Sequence, residues 1–198
     1  MSQKIEKTKQ ILNAAIEEFH SKGFEPASMH NIAATSEVSK RTLYKYYPTK
    51  DDLYDALIDE ILNQVEGMYE FHYEKEGDLK KQISEFLDKK FELTLDDTFL
   101  KLSRIVIGEL FKGRSPTPKQ MERLNNTESD FLKWIMEAQK DKKITNQFQA
   151  AHIADQFHSL IKGQIFWPLL MNMKQKEDLN IKEIKESVLS FFMNSFCL

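Results

Sequence analysis

Cysteine, glycine and proline are all scarce in this sequence of 198 residues. Its single cysteine, Cys197, excludes a disulfide framework within the chain and fits a reducing compartment. Six glycines and five prolines, with no stretch of alternating apolar and polar residues, favour helices over strands. No apolar run approaches the roughly 20 residues of a membrane span, and the N-terminus lacks the apolar segment of a signal peptide. We therefore expect a cytoplasmic helical protein without membrane contact.

Motifs for catalysis and metal binding are also missing from the sequence. His152 and His158 are six positions apart, which would place them on different faces of a helix. There is no His-Glu-x-x-His pattern, no pair of cysteines and no glycine-rich phosphate loop. We therefore predict that the protein is not an enzyme and has no catalytic residues, no metal site and no cofactor.

Charge is distributed unevenly along the chain, although the formal net charge is only −3. Residues 1–50 contain eight Lys and Arg against five Asp and Glu, a net charge of +3. The rest contains 20 against 26, a net charge of −6. A basic front on an acidic body predicts that any polyanionic partner meets the N-terminal part. Chance unevenness is the alternative for so small a difference.

Helical periodicity accounts for most of the chain. A first amphipathic helix is followed by two short ones, at 28–35 and 39–46, and Pro48 interrupts the second of these. A fourth helix begins at Lys50. Five further helices are predicted at about 78–95, 98–112, 117–142, 147–173 and 180–197. Pro168 should kink or divide the eighth helix, and the whole prediction is an all-α fold of about nine helices.

The two short helices make a helix-turn-helix pattern, in which the second helix would enter the major groove of DNA. Ser28 and Ser39 are placed to cap them. Leu43 points inward together with Val38 and Tyr47. The side chains left mostly outward are Lys40, Arg41, Thr42, Tyr44, Lys45 and Tyr46.

This mixture of cations, phenol rings and hydroxyl groups suits a groove lined by phosphates. Lys and Arg neutralise phosphates and reach guanine edges, and the hydroxyls of Thr and Tyr donate to phosphate oxygens. Lys50, at the start of the next helix, lies where free backbone N–H groups also favour a phosphate. On periodicity and composition alone, the alternative is a solvated charged helix with two partly packed tyrosines.

Residues 23–53 read GFEPASMHNIAATSEVSKRTLYKYYPTKDDL. A small hydroxyl residue precedes x-x-Ile-Ala, and the pattern VS-K-x-TLY-x-Y-[FY]-x-x-K-x-x-L follows. The matching residues are Ser28, Ile32, Ala33, Val38, Ser39, Lys40, Thr42, Leu43, Tyr44, Tyr46, Tyr47, Lys50 and Leu53. This stretch resembles the DNA-binding domain of TetR/AcrR-type transcriptional regulators, and the resemblance covers about the first 55 residues.

The resemblance implies a DNA contact at many of the matched positions. It assigns Lys40 and Arg41 to base edges. The other residues expected at phosphates, at base methyl groups or at the rim of the DNA are Ser28, His30, Ser39, Thr42, Tyr44, Lys45, Tyr46 and Lys50. Glu37 departs from the family, which often has Gly at this turn. A non-Gly residue at positive φ costs on the order of 1 kcal/mol, and we expect Glu37 to point away from DNA.

The resemblance also implies that the rest of the chain binds an effector and forms a dimer. We place a DNA-binding helix-turn-helix domain at 1–49 and an effector-binding and dimerisation domain at 50–198. Dimerisation has an independent argument, because paired helix-turn-helix units bind half-sites about 34–36 Å apart or multiples of that. The predicted interface residues are Ile153, Leu160, Ile165, Ile184, Val188, Phe191 and Phe192. The alternative is that these apolar faces pack in their own core.

Apolar side chains on three of the later helices are the candidates for an effector pocket. They are Phe99, Leu102, Ile105, Val106, Phe131, Trp134, Ile135, Phe157, Ile161, Phe166 and Trp167. Each of them could be plain core instead. The sequence thus predicts a repressor that binds operator DNA as a homodimer and is released by a small apolar molecule. The alternatives are an effector-independent DNA-binding protein, or a helical interaction protein that keeps the fold without binding DNA.

Overall fold

A computed structural model of the chain describes residues 2–66, 71–127 and 129–198. Its α-helices are α1 Ser2–Lys22, α2 Met29–Thr35, α3 Lys40–Tyr46, α4 Lys50–Glu66, α5 Leu79–Thr94, α6 Asp97–Leu110, α7 Pro118–Asn126, α8 Ser129–Lys140, α9 Ala150–Ile161, α10 Trp167–Leu170 and α11 Ile181–Phe196. Within these ranges, β structure is confined to one isolated antiparallel bridge between Ile144 and Cys197. The predicted all-α fold is confirmed. None of the described helices combines the length and the apolar character needed to cross a membrane.

The helices form two compact units. The first consists of Met1–Asn63 and Asp97–Leu124, and the second of Gln64–Asp96 and Asn125–Leu198. Helix α6 and most of α7 therefore belong with the N-terminal helices rather than with the C-terminal ones. The functional boundary between residues 49 and 50 stays a prediction.

The first unit has an apolar core between α1, α2, α3, α4 and α6. Four of these helices contribute the fully buried side chains of Ala15, Ile32, Leu43 and Leu53. Burying one such leucine contributes about 2 kcal/mol relative to leaving it exposed. Helix α6 is joined to this core by a hydrogen bond of 3.2 Å from the Tyr54 hydroxyl to the carbonyl oxygen of Val106. The short helices α2 and α3 are thus held by packing, because seven residues cannot sustain a helix alone.

The second unit has an aromatic core. The rings of Phe86 and Phe131 stack with centroids 4.3 Å apart, and Phe157 meets Phe192 edge to face at 5.0 Å. The buried indole of Trp134 donates a hydrogen bond of 2.9 Å from Nε1 to Gln82 Oε1. Its one polar atom is therefore satisfied inside the core, as a buried indole N–H requires.

Two predicted helices are divided in the structure. The stretch predicted at 117–142 is not one helix, because α7 ends at Asn126 and α8 begins at Ser129. The residues around this break include Asn125 and Thr127, whose side chains compete for backbone hydrogen bonds and disfavour a helix interior. The stretch predicted at 147–173 becomes α9, a π-helical segment at Lys162–Phe166, and α10. The predicted division thus lies next to Pro168, which lacks the N–H for regular helical bonding.

The turn between α2 and α3 contains a strained residue. Glu37 has φ 58°, in the left-handed region, as its place at this turn predicted. Its N–H donates a long bond of 3.4 Å to Ala34, whereas Ser36 N donates a bond of 2.9 Å to Ile32. The left-handed conformation costs a non-Gly residue about 1–2 kcal/mol. Tertiary packing of α2 and α3 therefore has to overcome a local penalty at Glu37.

Replacing Glu37 by Gly should raise the free energy of unfolding by about 0.5–1 kcal/mol. The relief of left-handed strain exceeds the flexibility that Gly adds to the unfolded chain. Glu37→Gln is the matched control, because it removes the charge and keeps the strain. Thermal or denaturant unfolding should show a gain for the Gly variant alone. Equal stability of both variants would show that Glu37 is not strained.

Candidate nucleic-acid interface

The N-terminus of α2 is fixed by one carboxylate of α1. Glu18 Oε1 accepts hydrogen bonds of 3.1 Å from Ser28 N and 3.1 Å from Asn31 Nδ2, and it lies 3.0 Å from Lys22 Nζ. Partial burial alone would raise the pKa of Glu18, but these hydrogen bonds outweigh it and the pKa is lowered. The ionised form therefore stabilises the fold at neutral pH, and this stabilisation is lost as the pH falls through the lowered pKa. Only the four-residue spacing of Glu18 and Lys22 hinted at this in the sequence.

Both predicted serine caps are confirmed. Ser28 Oγ accepts from His30 N at 3.2 Å, at the start of α2. Ser39 Oγ accepts from Thr42 N at 3.1 Å, at the start of α3, and lies 2.8 Å from Thr42 Oγ1. Each cap satisfies a backbone N–H that a helix start leaves without a partner. In the cap of α3, the hydroxyls of Ser39 and Thr42 are also hydrogen-bonded to each other.

The outward face of α3 carries the expected cations. Lys40, Arg41 and Lys45 are exposed, and Tyr44 is 48% exposed. None of the three cations forms an ion pair with another described residue. His30, on α2, is exposed as well. Cations that no carboxylate neutralises are available to phosphates or base edges.

Tyr46 differs from the expected outward arrangement. It is only partly exposed, and it packs against the core of the first unit together with Val38 and Tyr47. Leu43 itself is fully buried, as its place in the pattern predicted. Tyr46 comes three residues after Leu43, so the helical repeat brings both residues to nearly the same face. Its ring therefore helps to anchor α3.

Lys50 is held by its own chain rather than projecting from α4. Its Nζ donates hydrogen bonds of 2.7 Å to the carbonyl oxygen of Glu25 and 3.4 Å to that of Ala27. The same ammonium lies 4.7 Å from the ring centroid of Phe24. Two of its three donors are thus used by the segment between α1 and α2. No local pattern indicated this contact, because it joins residues 23 to 25 positions apart.

The start of α4 is closed by a reciprocal cap. Thr49 N donates to Asp52 Oδ2 at 2.9 Å, and Asp52 N donates to Thr49 Oγ1 at 3.0 Å. Thr49 therefore caps α4. This arrangement satisfies two backbone donors at once and places a carboxylate at the positive end of the helix dipole.

The residues predicted to line an effector pocket are divided between the two units. Leu102, Ile105 and Val106 pack in the core that contains α3, so they support the N-terminal helices. Phe99 is also buried on α6. The candidates in the second unit are the buried Phe131, Trp134, Ile135, Phe157 and Ile161, the partly exposed Phe166, and Trp167, which is 37% exposed. Apolar periodicity did not distinguish these two environments.

The residues predicted at a dimer interface are also divided. Four are buried in the core of their own chain and have no surface to offer a second copy: Ile153, Ile165, Val188 and Phe192. Leu160 and Ile184 are partly exposed, and Phe191 is 43% exposed. Among the residues that the structure describes, none beyond the neighbouring backbone lies within 4 Å of a Cβ added at Gly163, so no other helix approaches closely there.

Two families of known proteins match this chain. Residues 11–57 match the bacterial regulatory proteins of the tetR family, and residues 81–196 match the C-terminal domain of AefR-like transcriptional repressors. The first match spans α2, α3 and the surrounding segments whose geometry is described above. The second match covers more than half of the chain.

Individual relatives agree with these matches. A TetR family transcriptional regulator from Pseudomonas syringae pv. tomato has a crystal structure that is 32% identical, covers 96% of both chains and superposes with a TM-score of 0.74. The regulator RutR from Escherichia coli is 32% identical over 54% of this chain, which spans 49% of RutR. The regulator LuxR from Vibrio harveyi is 21% identical over 79% of this chain and 76% of LuxR. The fold, both family matches and the relative that is similar over nearly its full length agree that this chain belongs to the tetR family of transcriptional regulators.

Proposed function

We propose that the protein is a repressor that binds operator DNA through α3. The observation that carries this proposal is the contrast between the two faces of α3. Leu43 is fully buried, while Lys40, Arg41 and Lys45 are exposed and form no ion pair with a described residue. The match of the C-terminal region to a repressor domain supports the direction of regulation.

Within this interface, the exposed cations of α3 have separate roles. Lys40 and Arg41 approach base edges, where long cations bind guanine. Lys45 meets the phosphate backbone. The remaining contacts to phosphates, base methyl groups and the rim of the DNA come from Ser28, His30, Ser39, Thr42, Tyr44, Tyr46 and the third donor of Lys50.

A homodimer would bring two copies of α3 to the two half-sites of an operator. The apolar side chains that remain partly exposed on α9 and α11 support this assembly, since Leu160, Ile184 and Phe191 lie on these two helices. Helices α9 and α11 also pack against each other within one chain. Two such pairs can form a four-helix interface related by a twofold axis.

The effector of this repressor would be a small apolar molecule held in the second unit. Aromatic side chains dominate that unit, and Trp134 and Gln82 provide a polar pair among them. Such surroundings suit apolar ligands with a few polar groups. Binding would release DNA only if the ligand prefers the conformation that binds DNA poorly.

Lys40 should determine operator preference, and Lys45 should supply general affinity. Fluorescence anisotropy would use the duplex that precedes the protein's own gene and a scrambled duplex of equal length. Lys40→Ala should weaken the binding free energy for the operator by about 1–3 kcal/mol and reduce the preference for the operator over scrambled DNA. Lys45→Ala should weaken binding to both duplexes equally. It should also flatten the slope of log binding constant against log salt concentration by about one.

Several results in this assay would contradict the proposal. A wild-type protein that binds neither duplex would favour a helical interaction protein without DNA binding. Identical behaviour of the two variants would overturn the division of roles between Lys40 and Lys45. If operator affinity stays constant when an extract of small cellular molecules is added, the effector-independent alternative is favoured.

Lys50 should act mainly through stability. Lys50→Ala removes its hydrogen bonds to Glu25 and Ala27 and its contact with Phe24. The free energy of unfolding should fall by about 1–2 kcal/mol, because the lost bonds are made by a charged donor. Denaturant unfolding would measure this, with the exposed Lys45→Ala as the control that changes stability by less than about 0.5 kcal/mol. Equal stability of the two variants would show that the Lys50 contacts are unimportant.

Phe191 should be needed for the dimer. Phe191 and Phe148 make a matched pair, since each is 43% exposed and each meets Phe196 edge to face at 6.1–6.2 Å. Phe191→Glu should convert the dimer to a monomer in sedimentation equilibrium, because a charge would be buried in an apolar interface. Phe148→Glu should leave the dimer intact. If Phe191→Glu remains dimeric, the proposed interface is wrong.

A further inference from the structure

Arg114 occupies a fixed position just beyond the C-terminus of α6. Its N–H donates to the carbonyl oxygen of Glu109 at 3.1 Å, and Gly113 N donates to that of Leu110 at 3.0 Å. This pair of bonds is a Schellman motif, which needs a left-handed residue before Arg114. Gly113 supplies it with φ 91°. The backbone of Arg114 is therefore set by α6 rather than left free in a loop.

The guanidinium of Arg114 lies on an aromatic platform. Its Cζ is 4.0 Å from the ring centroid of Phe24 and 5.1 Å from that of Tyr54. The two rings meet edge to face at 5.4 Å. Guanidinium groups stack on such faces, where the ring quadrupole attracts the cation. The side chain of Arg114 is 28% exposed, so it is packed over much of its length.

Carboxylates at the rim of this platform complete the contact. Arg114 Nη1 donates a hydrogen bond to Asp51, and its Nε lies 3.7 Å from an oxygen of the buried Glu109. Glu25 lies 3.8 Å from Nη2. Partial burial would lower the pKa of Arg114, but the bond to Asp51 and the nearby carboxylates raise it. The charged guanidinium thus joins the end of α6 to the start of α4.

The start of α4 is connected to α3 by a short and rigid link. Only four residues, 47–50, separate Tyr46 from Asp51. Pro48 has a restricted φ, Thr49 forms the reciprocal cap with Asp52, and Lys50 is bound to Glu25 and Ala27. A displacement of Asp51 would therefore be transmitted to the C-terminal end of α3.

The segment after Arg114 follows the same face of α4. Gln120 Nε2 donates to the carbonyl oxygen of Asp55 at 3.0 Å, and Arg123 Nη1 donates to Asp59 Oδ1 at 3.0 Å. Arg123 Nη2 also donates to Asn63 Oδ1 at 2.7 Å. The contacted positions on α4 are 51, 55, 59 and 63, one helical turn apart. Arg114 and Arg123 thus contact the same face of α4. Arg114 does so at the end near α3, and Arg123 at the end far from it.

From this arrangement we propose that Arg114 is a positioning residue for operator binding. Resting on the proposed DNA-binding function, it sets the angle of α3 by holding Asp51 against the platform of Phe24 and Tyr54. It acts through Asp51 and does not itself contact DNA. The far arginine, Arg123, binds α4 without influencing α3.

The experiment compares Arg114→Gln with Arg123→Gln in the full chain, by anisotropy on the duplex that precedes the protein's own gene. Both variants lose one positive charge and the arginine's contacts to α4. Arg114→Gln should weaken binding roughly tenfold, a coupling of ordinary size between two sites, with the salt slope unchanged. Arg123→Gln should stay within about twofold of the wild type. Asp51→Asn should reproduce most of the loss, and the double variant should lose no more than Arg114→Gln alone.

Each other outcome has a definite meaning. Equal affinities of the Arg114 and Arg123 variants for the duplex would overturn the inference. A salt slope that flattens by about one for Arg114→Gln would also overturn it, because such a change marks a direct phosphate contact. Additive losses from Arg114→Gln and Asp51→Asn would also overturn it. If Arg114→Gln does not fold, Asp51→Asn carries the test by itself. A wild-type protein that fails to bind duplex DNA refutes the proposed function instead.

Discussion

The burial of Leu43 in the core of the first unit is the constraint on which the candidate interface depends. A seven-residue helix has little stability of its own, so its rotation is fixed by Leu43, which is buried in the core, and by Tyr46, which packs against that core. With Leu43 inward, the helical repeat turns Arg41 and Lys45 toward solvent, and Lys40, the first residue of α3, is exposed as well. A rotation that exposed Leu43 would carry a cation toward the core, where an unpaired charge is costly.

Two ionic contacts add to the apolar packing that holds the helices of the first unit. Glu18 holds the N-terminus of α2 through Ser28 and Asn31, and Arg114 holds Asp51 at the start of α4. Both carboxylates accept hydrogen bonds from charged or backbone donors, so each makes a directional contact that apolar packing cannot supply. The helices on either side of α3 are therefore fixed by directed bonds, while α3 itself presents free cations.

Local sequence signals predicted the parts of this arrangement that depend on neighbouring residues. The caps at Ser28 and Ser39 and the inward Leu43 follow from residues within a few positions, whereas the positive φ of Glu37 was expected only from the family resemblance at this turn. The long-range contacts did not follow. Lys50 was expected at a phosphate, and the segment containing Arg114 was seen only as a break between helices. The apolar faces later in the chain were ambiguous for another reason, since core, pocket and dimer interface all require the same residue types.

The most direct test of this account is acetylation of lysines in the native protein, with and without duplex DNA, followed by mass spectrometry. Lys40 and Lys45 should be modified readily in the free protein and become protected when DNA is bound, while the exposed Lys142 and Lys174 of the second unit keep their reactivity. Unchanged reactivity of Lys40 and Lys45 in a DNA complex would show that α3 is not the DNA-binding surface.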